Sequence, residues 1–418
     1  MIIQGIHLTD FRNYGRLDLD VGPSVNIFYG DNAQGKTNII EAIYVAGSVA
    51  SHRTSKDIEM IRFGENSYST GLDLLCDDGG TLKLTAEFHT EKSELSKNVR
   101  SYRVLKQDGI KIDRISDYIG VCNIVIFAPE DLNIVKNAPA FRRRFLNTLI
   151  SKVSPSYFNL LSDLSKLMNR KNTYLRTARS GLRNGEIKQS DIDASLDYWD
   201  FSIADLSADI IIMRDRFARL LSEAASKHHS NISGGKEKLT IGYDTISGCS
   251  VPVEASGDDF RQYDGYLRKG LSGSDYTRIK GILSDNILSK LKSARSYDLE
   301  KGISSVGVNK DDLDIKLDGL QMRSFSSQGQ QRSASLALKL AELDILRMFT
   351  SSTPILLLDD VFSELDAERR VSLLSVMKDA QIFITCTDRD MTARELAPME
   401  AAEKARYFHV TCGTVSAE

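Results

Sequence analysis

Ile27-Phe28-Tyr29-Gly30-Asp31-Asn32-Ala33-Gln34-Gly35-Lys36-Thr37-Asn38 decides how this 418-residue chain is read, because it fits G-x-x-x-x-G-K-[ST]. The largely apolar residues 25–29 precede the loop as a strand, and residues 39–49 follow it with helical spacing. That strand-loop-helix setting is the one the pattern requires. Gly30 and Gly35 permit backbone angles that turn successive N–H groups inward, and the following helix adds its positive N-terminal end. Gly30, Asp31, Asn32, Ala33, Gln34, Gly35, Lys36, Thr37 and Asn38 are therefore read as a cradle for nucleotide phosphates. Lys36 is expected to reach the β and γ phosphates, and Thr37 to hold Mg²⁺ through its hydroxyl.

Composition narrows the setting. The length suggests about two to three domains, and 41% hydrophobic residues suffice for sizeable cores. A net charge of −3 means that an anionic partner must be met by a local basic patch. Cys76, Cys122, Cys249, Cys386 and Cys412 are scattered, with no C-x-x-C pair and no histidine at ligand spacing. Neither a disulfide framework nor a zinc site is expected, which favours a reducing cytosol. The N-terminus has no basic leader, and no apolar run approaches the roughly 18 residues of a membrane span. The expectation is a soluble, cytoplasmic protein without a membrane partner.

Up to Pro129 the pattern is mostly strand. Apolar and polar residues alternate over 2–8 and 17–21, with Phe11-Arg12-Asn13-Tyr14 as a turn between them. Two further strand-like stretches, 67–76 and 81–88, flank Asp77-Asp78-Gly79-Gly80. An antiparallel sheet beside a nucleotide-binding strand is expected. From Pro129-Glu130-Asp131 the texture turns helical. Tyr157, Leu160, Leu164 and Leu167 step by three and four, as do Leu196, Trp199, Ile203, Leu206, Ile210, Met213, Phe217 and Leu220. Two seams around a polar stretch predict a helical arm that runs out and back, the alternative being two buried helices in a compact α-domain. Residues 247–274 read as a loop excursion, 283–291 as a short helix and 312–317 as a strand.

Two later blocks complete a site. Ser327-Gln328-Gly329-Gln330-Gln331-Arg332 runs into a helix-prone stretch, a second anion cradle at a helix start. Pro354-Ile355-Leu356-Leu357-Leu358-Asp359-Asp360 is an apolar strand ending in two carboxylates, where a Mg²⁺-holding aspartate belongs in a phosphate-loop enzyme. Asp359 is read on the metal and Asp360, on the opposite side of the strand, as the group that aligns or deprotonates water. Lys36 and Asp359 must meet at one nucleotide, so residues 131–300 are read as an insertion between head halves 1–130 and 301–418. The densest basic candidates for a polyanion are Arg142-Arg143-Arg144 and, along the first arm helix, Arg170, Lys171 and Arg176, with Arg179 and Arg183 beyond. Solvated helix cations or internal salt-bridge partners are the plainer reading of each.

With these blocks in place the sequence resembles the RecF family, whose ATPase heads are similar to those of SMC and Rad50 proteins. The resemblance runs through nearly the whole chain. It rests on Phe11-Arg12-Asn13-Tyr14, the phosphate loop, Phe127-Ala128-Pro129-Glu130-Asp131-Leu132, Arg142-Arg143-Arg144-Phe145-Leu146, Arg170-Lys171-Asn172, Ser327-Gln328-Gly329-Gln330-Gln331-Arg332 and Leu357-Leu358-Asp359-Asp360-Val361-Phe362-Ser363-Glu364-Leu365-Asp366. It implies an α/β, ABC-type head split by an inserted α-helical arm. It also implies an ATP-switched homodimer that binds duplex DNA near gaps or single-strand junctions, with Mg²⁺ as cofactor and with RecR and RecO as partners. In that reading Ser327, Gln328, Gly329 and Gln330 act in trans on the γ-phosphate of a second subunit, Arg12 touches phosphate, and Glu364-Leu365-Asp366 communicates between the two sites. The family's usual G-P-H-R-D-D-L is Gly307-Val308-Asn309-Lys310-Asp311-Asp312-Leu313 in this chain. A transporter ATPase subunit is one alternative, though such heads are not interrupted by a helical seam. A nuclease of the overcoming-lysogenization type is the other, and needs a further acidic cluster; Asp258-Asp259 is the only pair in the excursion.

Overall fold

Alternating patterns become strands and 3-4 patterns become helices in the computed structural model, which describes residues 1–92, 99–245, 251, 269–350, 352–377, 380–397 and 404–418. Most of the excursion, with Asp258-Asp259 and Cys249, falls outside those residues, and its last two, 273–274, begin a helix. Cys76, Cys122, Cys386 and Cys412 are free thiols. The chain divides into two compact units, residues 1–133, 227–236 and 328–418 forming the first and 134–226 and 237–327 the second. Residues 301–327, expected with the head, thus lie with the arm.

In the first unit, β1 (Ile2–Phe11) and β2 (Tyr14–Asp20) make a hairpin, and β3 (Val25–Tyr29) leads through the phosphate loop into helix α1 (Lys36–Ser48). β4 (Ser67–Leu75), β5 (Thr81–Lys92), β6 (Val99–Gln107), β7 (Ile110–Ile112) and β8 (Ile124–Phe127) follow. The expected antiparallel sheet is present, ordered β2-β1-β4-β5-β6-β7. α1 is hydrophobic on nearly every side because it packs on this sheet and also on the parallel one. Ile39, Ile40 and Ile43 of α1 share one apolar core with Ile6, Leu72 and Leu84 on one side and Phe28, Leu357 and Phe383 on the other.

The second unit holds α2 (Pro139–Val153), α3 (Pro155–Arg183), most of α4 (Gln189–Ile232), β9 (Leu239–Asp244), α5 (Gly273–Lys301), β10 (Asp312–Leu317) and β11 (Leu320–Gln321). Its three strands form an antiparallel sheet ordered β11-β10-β9. The short helix read at 283–291 is in fact 29 residues long, begun by the Ser272 side chain accepting from the Asp275 N–H and ended by Gly302 at φ 72°. Its buried face runs from Ile279 through Leu283, Ile287 and Leu291 to Asp298 and Leu299, and only the central apolar residues form a readable stripe, because a buried aspartate breaks the apolar pattern near the end.

α5 corrects the two-helix arm to three. Lys171 of α3, Asp200 of α4 and Asp298 of α5 are each wholly buried, with Lys171 Nζ 2.7 Å from Asp200 and 4.0 Å from Asp298. Arg295 Nε of α5 also donates to Asp200 at 2.8 Å. Lys171 is therefore no surface cation, contrary to its reading as a DNA contact. It belongs to the buried 3-4 stripe Leu164, Met168, Lys171, Leu175 and Ala178. Arg142 is corrected likewise: buried, it makes paired bonds of 2.7 Å to Asp312 and donates to the Asn137 carbonyl at 2.8 Å. Arg143 is half-buried and donates to the Asp311 carbonyl, whereas Arg144, Arg170 and Arg176 are exposed. In the departing segment Val308 supplies a carbonyl to Arg214 at 2.6 Å, and Asp311 accepts from the Tyr243 hydroxyl. That segment is structural in this unit.

The first unit resumes with the end of α4, where His228 Nε2 lies 2.7 Å from Asp344. Then come α6 (Gln328–Phe349), β12 (Ile355–Asp359), α7 (Ala367–Val376), β13 (Ile382–Cys386), α8 (Arg389–Leu396), β14 (Arg406–Thr411) and β15 (Thr414–Ala417). The second sheet is ordered β15-β14-β3-β13-β12-β8, all parallel except β15. β12 and β13 are buried throughout, as a parallel sheet covered on both faces requires.

Removing Lys171 takes the buried cation from between two buried carboxylates, leaving Asp200 to Arg295 and Asp298 to the hydroxyl and N–H groups of Ser304 and Ser305. Lys171→Met is expected to destabilise the chain by about 3–5 kcal/mol in chemical unfolding, while Arg170→Met one residue away changes it by less than about 0.5 kcal/mol. Equal effects at the two positions refute the buried-triad assignment.

Candidate nucleotide site

The sheet order sets the site. β3 and β12 are not neighbours; β13 lies between them, and all three strands end at the same edge in register. Thr37, the second residue of α1, donates its Oγ1 to Asp359 Oδ1 at 2.9 Å, joining residues 322 positions apart. Thr385 on the intervening β13 donates to the same Oδ1 at 2.6 Å. Burial pushes the Asp359 carboxyl up, and these two hydroxyls oppose that shift.

Asp360 does not occupy the opposite face of the strand as expected. It leaves the strand in a left-handed turn at φ 51°, is exposed, and donates its backbone N–H to Thr385 Oγ1 at 2.9 Å. The strand pattern extrapolated one residue too far. A left-handed aspartate carries strain of about 1–3 kcal/mol, and the Thr385 bond holds it there. Burial lowers the Lys36 pKa, and the Asp360 carboxylate is the strongest charge working against that shift.

The loop needs its glycines. Gly30 sits at φ 144°, where a Cβ would meet the Val410 carbonyl oxygen at 2.5 Å; Gly35 sits at φ 116°, where a Cβ would meet Asn13 Nδ2 at 2.5 Å. Lys36 Nζ donates to the carbonyls of Gly30 and Asp31, both at 2.7 Å, and so lies over the loop.

Several supporting residues lie outside the phosphate loop, the signature and the acid-tipped strand, three of them in the Phe11-Arg12-Asn13-Tyr14 turn. Asn13 donates to the Gln34 carbonyl at 3.0 Å and accepts from Asn38 at 2.8 Å, and the buried Tyr14 hydroxyl donates to the Gly35 carbonyl at 3.1 Å. From the other side Cys412 and Gly413 donate backbone N–H groups to Gln34 at 2.7 and 3.1 Å. Arg12, at φ 53° in the two-residue turn, gives Nε and Nη2 to Glu41 at 2.9 and 2.7 Å and Nη1 to the Glu59 carbonyl. Arg12 thus shapes the wall of the site through Glu41. Arg53 adds bonds to Asn38 and Glu41 at 3.0 and 3.3 Å. Burial raises the Glu41 carboxyl, but hydrogen bonds from Arg12 and Ser51 outweigh it and hold the pKa below the usual range. The signals were an acid inside the apolar run 39–43 and a lone hydroxyl inside the apolar strand 382–386.

The signature residues take another position. Ser327 and Gln328 are exposed at the start of α6, and Gly329 is fastened by its carbonyl to Arg369 of α7 at 2.8 Å. Among the described residues no group of three or more His, Cys, Asp or Glu is placed to hold a metal ion, and no helix is long and apolar enough to cross a membrane.

A phosphate loop and an acid-tipped strand separated by one strand of a parallel sheet, with an antiparallel sheet on the far side of the loop's helix, define an ATPase head of the ABC class. The family described as RecF/RecN/SMC N terminal domain matches residues 2–406. The DNA replication and repair protein RecF of Agathobacter rectalis is 36% identical over 426 residues, 99% of each chain, and that of Lysinibacillus sphaericus 35% over 416 residues, again 99% of each. The recombination mediator protein RecF-ATP of the RecFOR pathway superposes at a TM-score of 0.80 with 29% identity, covering 100% of this chain and 97% of that one. An SMC head bound to the C-winged helix domain of ScpA, at a TM-score of 0.51 and 13% identity over 100% and 97%, shares the fold. The chain belongs to the RecF family.

Gly35→Ala adds both a clash with Asn13 and left-handed strain, and is expected to weaken nucleotide binding at least about a hundredfold. Adding Asn13→Ala removes the nearest clash but leaves the Tyr14 hydroxyl at 2.9 Å and the strain, so titration calorimetry should show only partial recovery. Full recovery by the double variant contradicts the φ argument.

Proposed function

We propose that this chain is an ATP-dependent DNA-binding protein of replication and recombinational repair, a dimer on ATP whose slow, DNA-stimulated hydrolysis acts as a timer. The observation that carries this reading is the Thr37-Asp359 bond, which assembles one nucleotide site from the two ends of the chain. The names of the relatives, DNA replication and repair protein RecF, and the RecF-ATP structure support ATP as the nucleotide and DNA as the partner.

Each residue then has a task. The backbone from Gly30 to Asn38 cradles the phosphates, and Lys36 offsets β and γ charge. A hydroxyl and a carboxylate oxygen at one point are hard donors that suit Mg²⁺, an ion that fills its remaining positions with water and phosphate oxygens. Thr37 and Asp359 would hold it, and the ion would supply charge neutralisation when bound. Asp360, exposed just past the end of β12, orients the attacking water. Ser327, Gln328, Gly329 and Gln330, on an exposed helix start, meet the γ-phosphate of a second copy. RecR and RecO are the protein partners that fit the RecFOR naming of the structural relative.

Asp360→Asn keeps the shape but removes the carboxylate. Retained ATP binding, turnover slowed at least about tenfold and an accumulated dimer in light scattering are expected; a chain that stays monomeric with ATP refutes the switch.

For DNA, a duplex at gaps or single-strand junctions, the arm offers Arg170 and Arg176 as exposed cations on α3, with Arg144 on α2; Arg142 and Lys171 are withdrawn. Arg170→Glu with Arg176→Glu should weaken duplex binding for all sequences and reduce the log-log salt slope by about 1–2, measured by fluorescence anisotropy. An unchanged slope moves the DNA surface elsewhere.

A further inference from the structure

Arg369 lies in none of the motifs, yet its side chain is only 16% exposed. Its guanidinium joins two segments of the first unit. Nη2 donates to the Gly329 carbonyl at 2.8 Å and to Ser333 Oγ at 2.9 Å, Nε donates to the same Oγ at 3.0 Å, and Nη1 pairs with the Asp366 carboxylate. Gly329 and Ser333 belong to the first turns of α6, just behind the exposed Ser327. Asp366 closes the loop that opens at Asp360, and caps α7 by accepting the Arg369 N–H at 3.1 Å. Arg370 secures the other side, donating Nε to the Leu365 carbonyl at 2.7 Å and pairing with Glu395 of α8. Two consecutive arginines thus staple residues 360–366 between α6 and α8.

We infer that Arg369 is a positioning residue that sets the exposed start of α6 from the same subunit's Asp360-to-Asp366 loop, so that a subunit's grip on a second copy follows the state of its own nucleotide. The peptide bond carries the effect. A peptide is planar, so pinning the Gly329 carbonyl also orients the Gln330 N–H of the same plane, a first-turn donor aimed along the helix start. A shift of Asp366 when the Asp360 loop changes then rotates that donor through one rigid guanidinium. The planar fork spans a carbonyl, a hydroxyl and a carboxylate at once, and the single ammonium of a lysine does not. The carbonyl belongs to half-buried Gly329 and the hydroxyl to buried Ser333, so the arginine is held by more than its ion pair.

This inference rests on the dimer reading of the site, and the test separates the two. In full-length chain carrying Asp360→Asn, Arg369→Ala and Arg369→Lys are compared with the parent. Binding of a fluorescent ATP analogue is measured at protein concentrations where only monomer is present, and the ATP-dependent dimer dissociation constant by sedimentation. The expected result is analogue affinity within about twofold of the parent, with the dimer constant raised at least about tenfold by alanine and only partly restored by lysine. Dimerisation as tight as the parent's overturns the inference, and so does loss of analogue binding in parallel with dimer loss, since a merely structural residue weakens both. If the parent itself stays monomeric with ATP, the dimer reading fails. Amide exchange in the monomer then decides the inference alone: faster exchange over 328–333 in Arg369→Ala, with 30–38 unchanged, supports the tie, and unchanged exchange over 328–333 overturns it.

Discussion

The bond between Thr37 and Asp359 is the contact on which the rest depends. One offers a neutral hydroxyl and the other a buried carboxylate whose ionisation burial opposes. They meet because β13 enters between β3 and β12 in register, and its Thr385 hydroxyl serves the carboxylate of one neighbour and the backbone N–H that follows it. The apolar strands make that register obligatory: a one-residue slip in β12 would turn Asp359 away from Thr37 and expose the wrong face to α1. Everything between β8 and α6 can vary without disturbing this edge, so a helical unit can interrupt the head in sequence.

Buried charge is the second constraint, and it is unusually dense. Glu41 gathers Arg12 and Arg53 at the phosphate-loop wall; Lys171, Asp200, Asp298 and Arg295 tie three arm helices; Arg142 and Arg214 pin the segment around Asp311 and Asp312. Such clusters add little net stability against apolar replacements, because desolvation offsets much of the attraction. What they impose is geometry. A helix stripe of leucines tolerates small rotations, whereas Lys171 has one place where both carboxylates are in reach. The same clusters remove cations from the surface, so a count of arginines and lysines overstates the basic area open to a polyanion.

Arg369 belongs to this pattern but stands apart in position. The other clusters hold elements within a wall or a bundle; this one joins the start of α6 to the loop after the acid-tipped strand. Its neighbour Arg370 fixes that loop to α8. Local rigidity at an exposed tip is what a surface that meets another molecule requires, since a mobile tip loses conformational entropy on contact.

The phosphate loop, the acid-tipped strand, the antiparallel sheet and the interruption of the head were legible from residue order alone, because each is written in local periodicity and in glycines that only certain backbone angles need. The same order named Lys36, Thr37 and Asp359 without any contact being known. It could not tell Lys171 from Arg170, nor Arg142 from Arg144, since charge type is local but burial is set by which helix face meets another element. It placed Asp360 on a strand that had already ended, because a left-handed turn at a non-glycine residue leaves no mark in the pattern. It also missed Thr385, Glu41 and Arg369, whose work is done across the fold. Sequence determined which chemistry the chain carries; only tertiary packing decided which charged groups remain free to use it, because desolvation and pairing depend on neighbours far away along the chain.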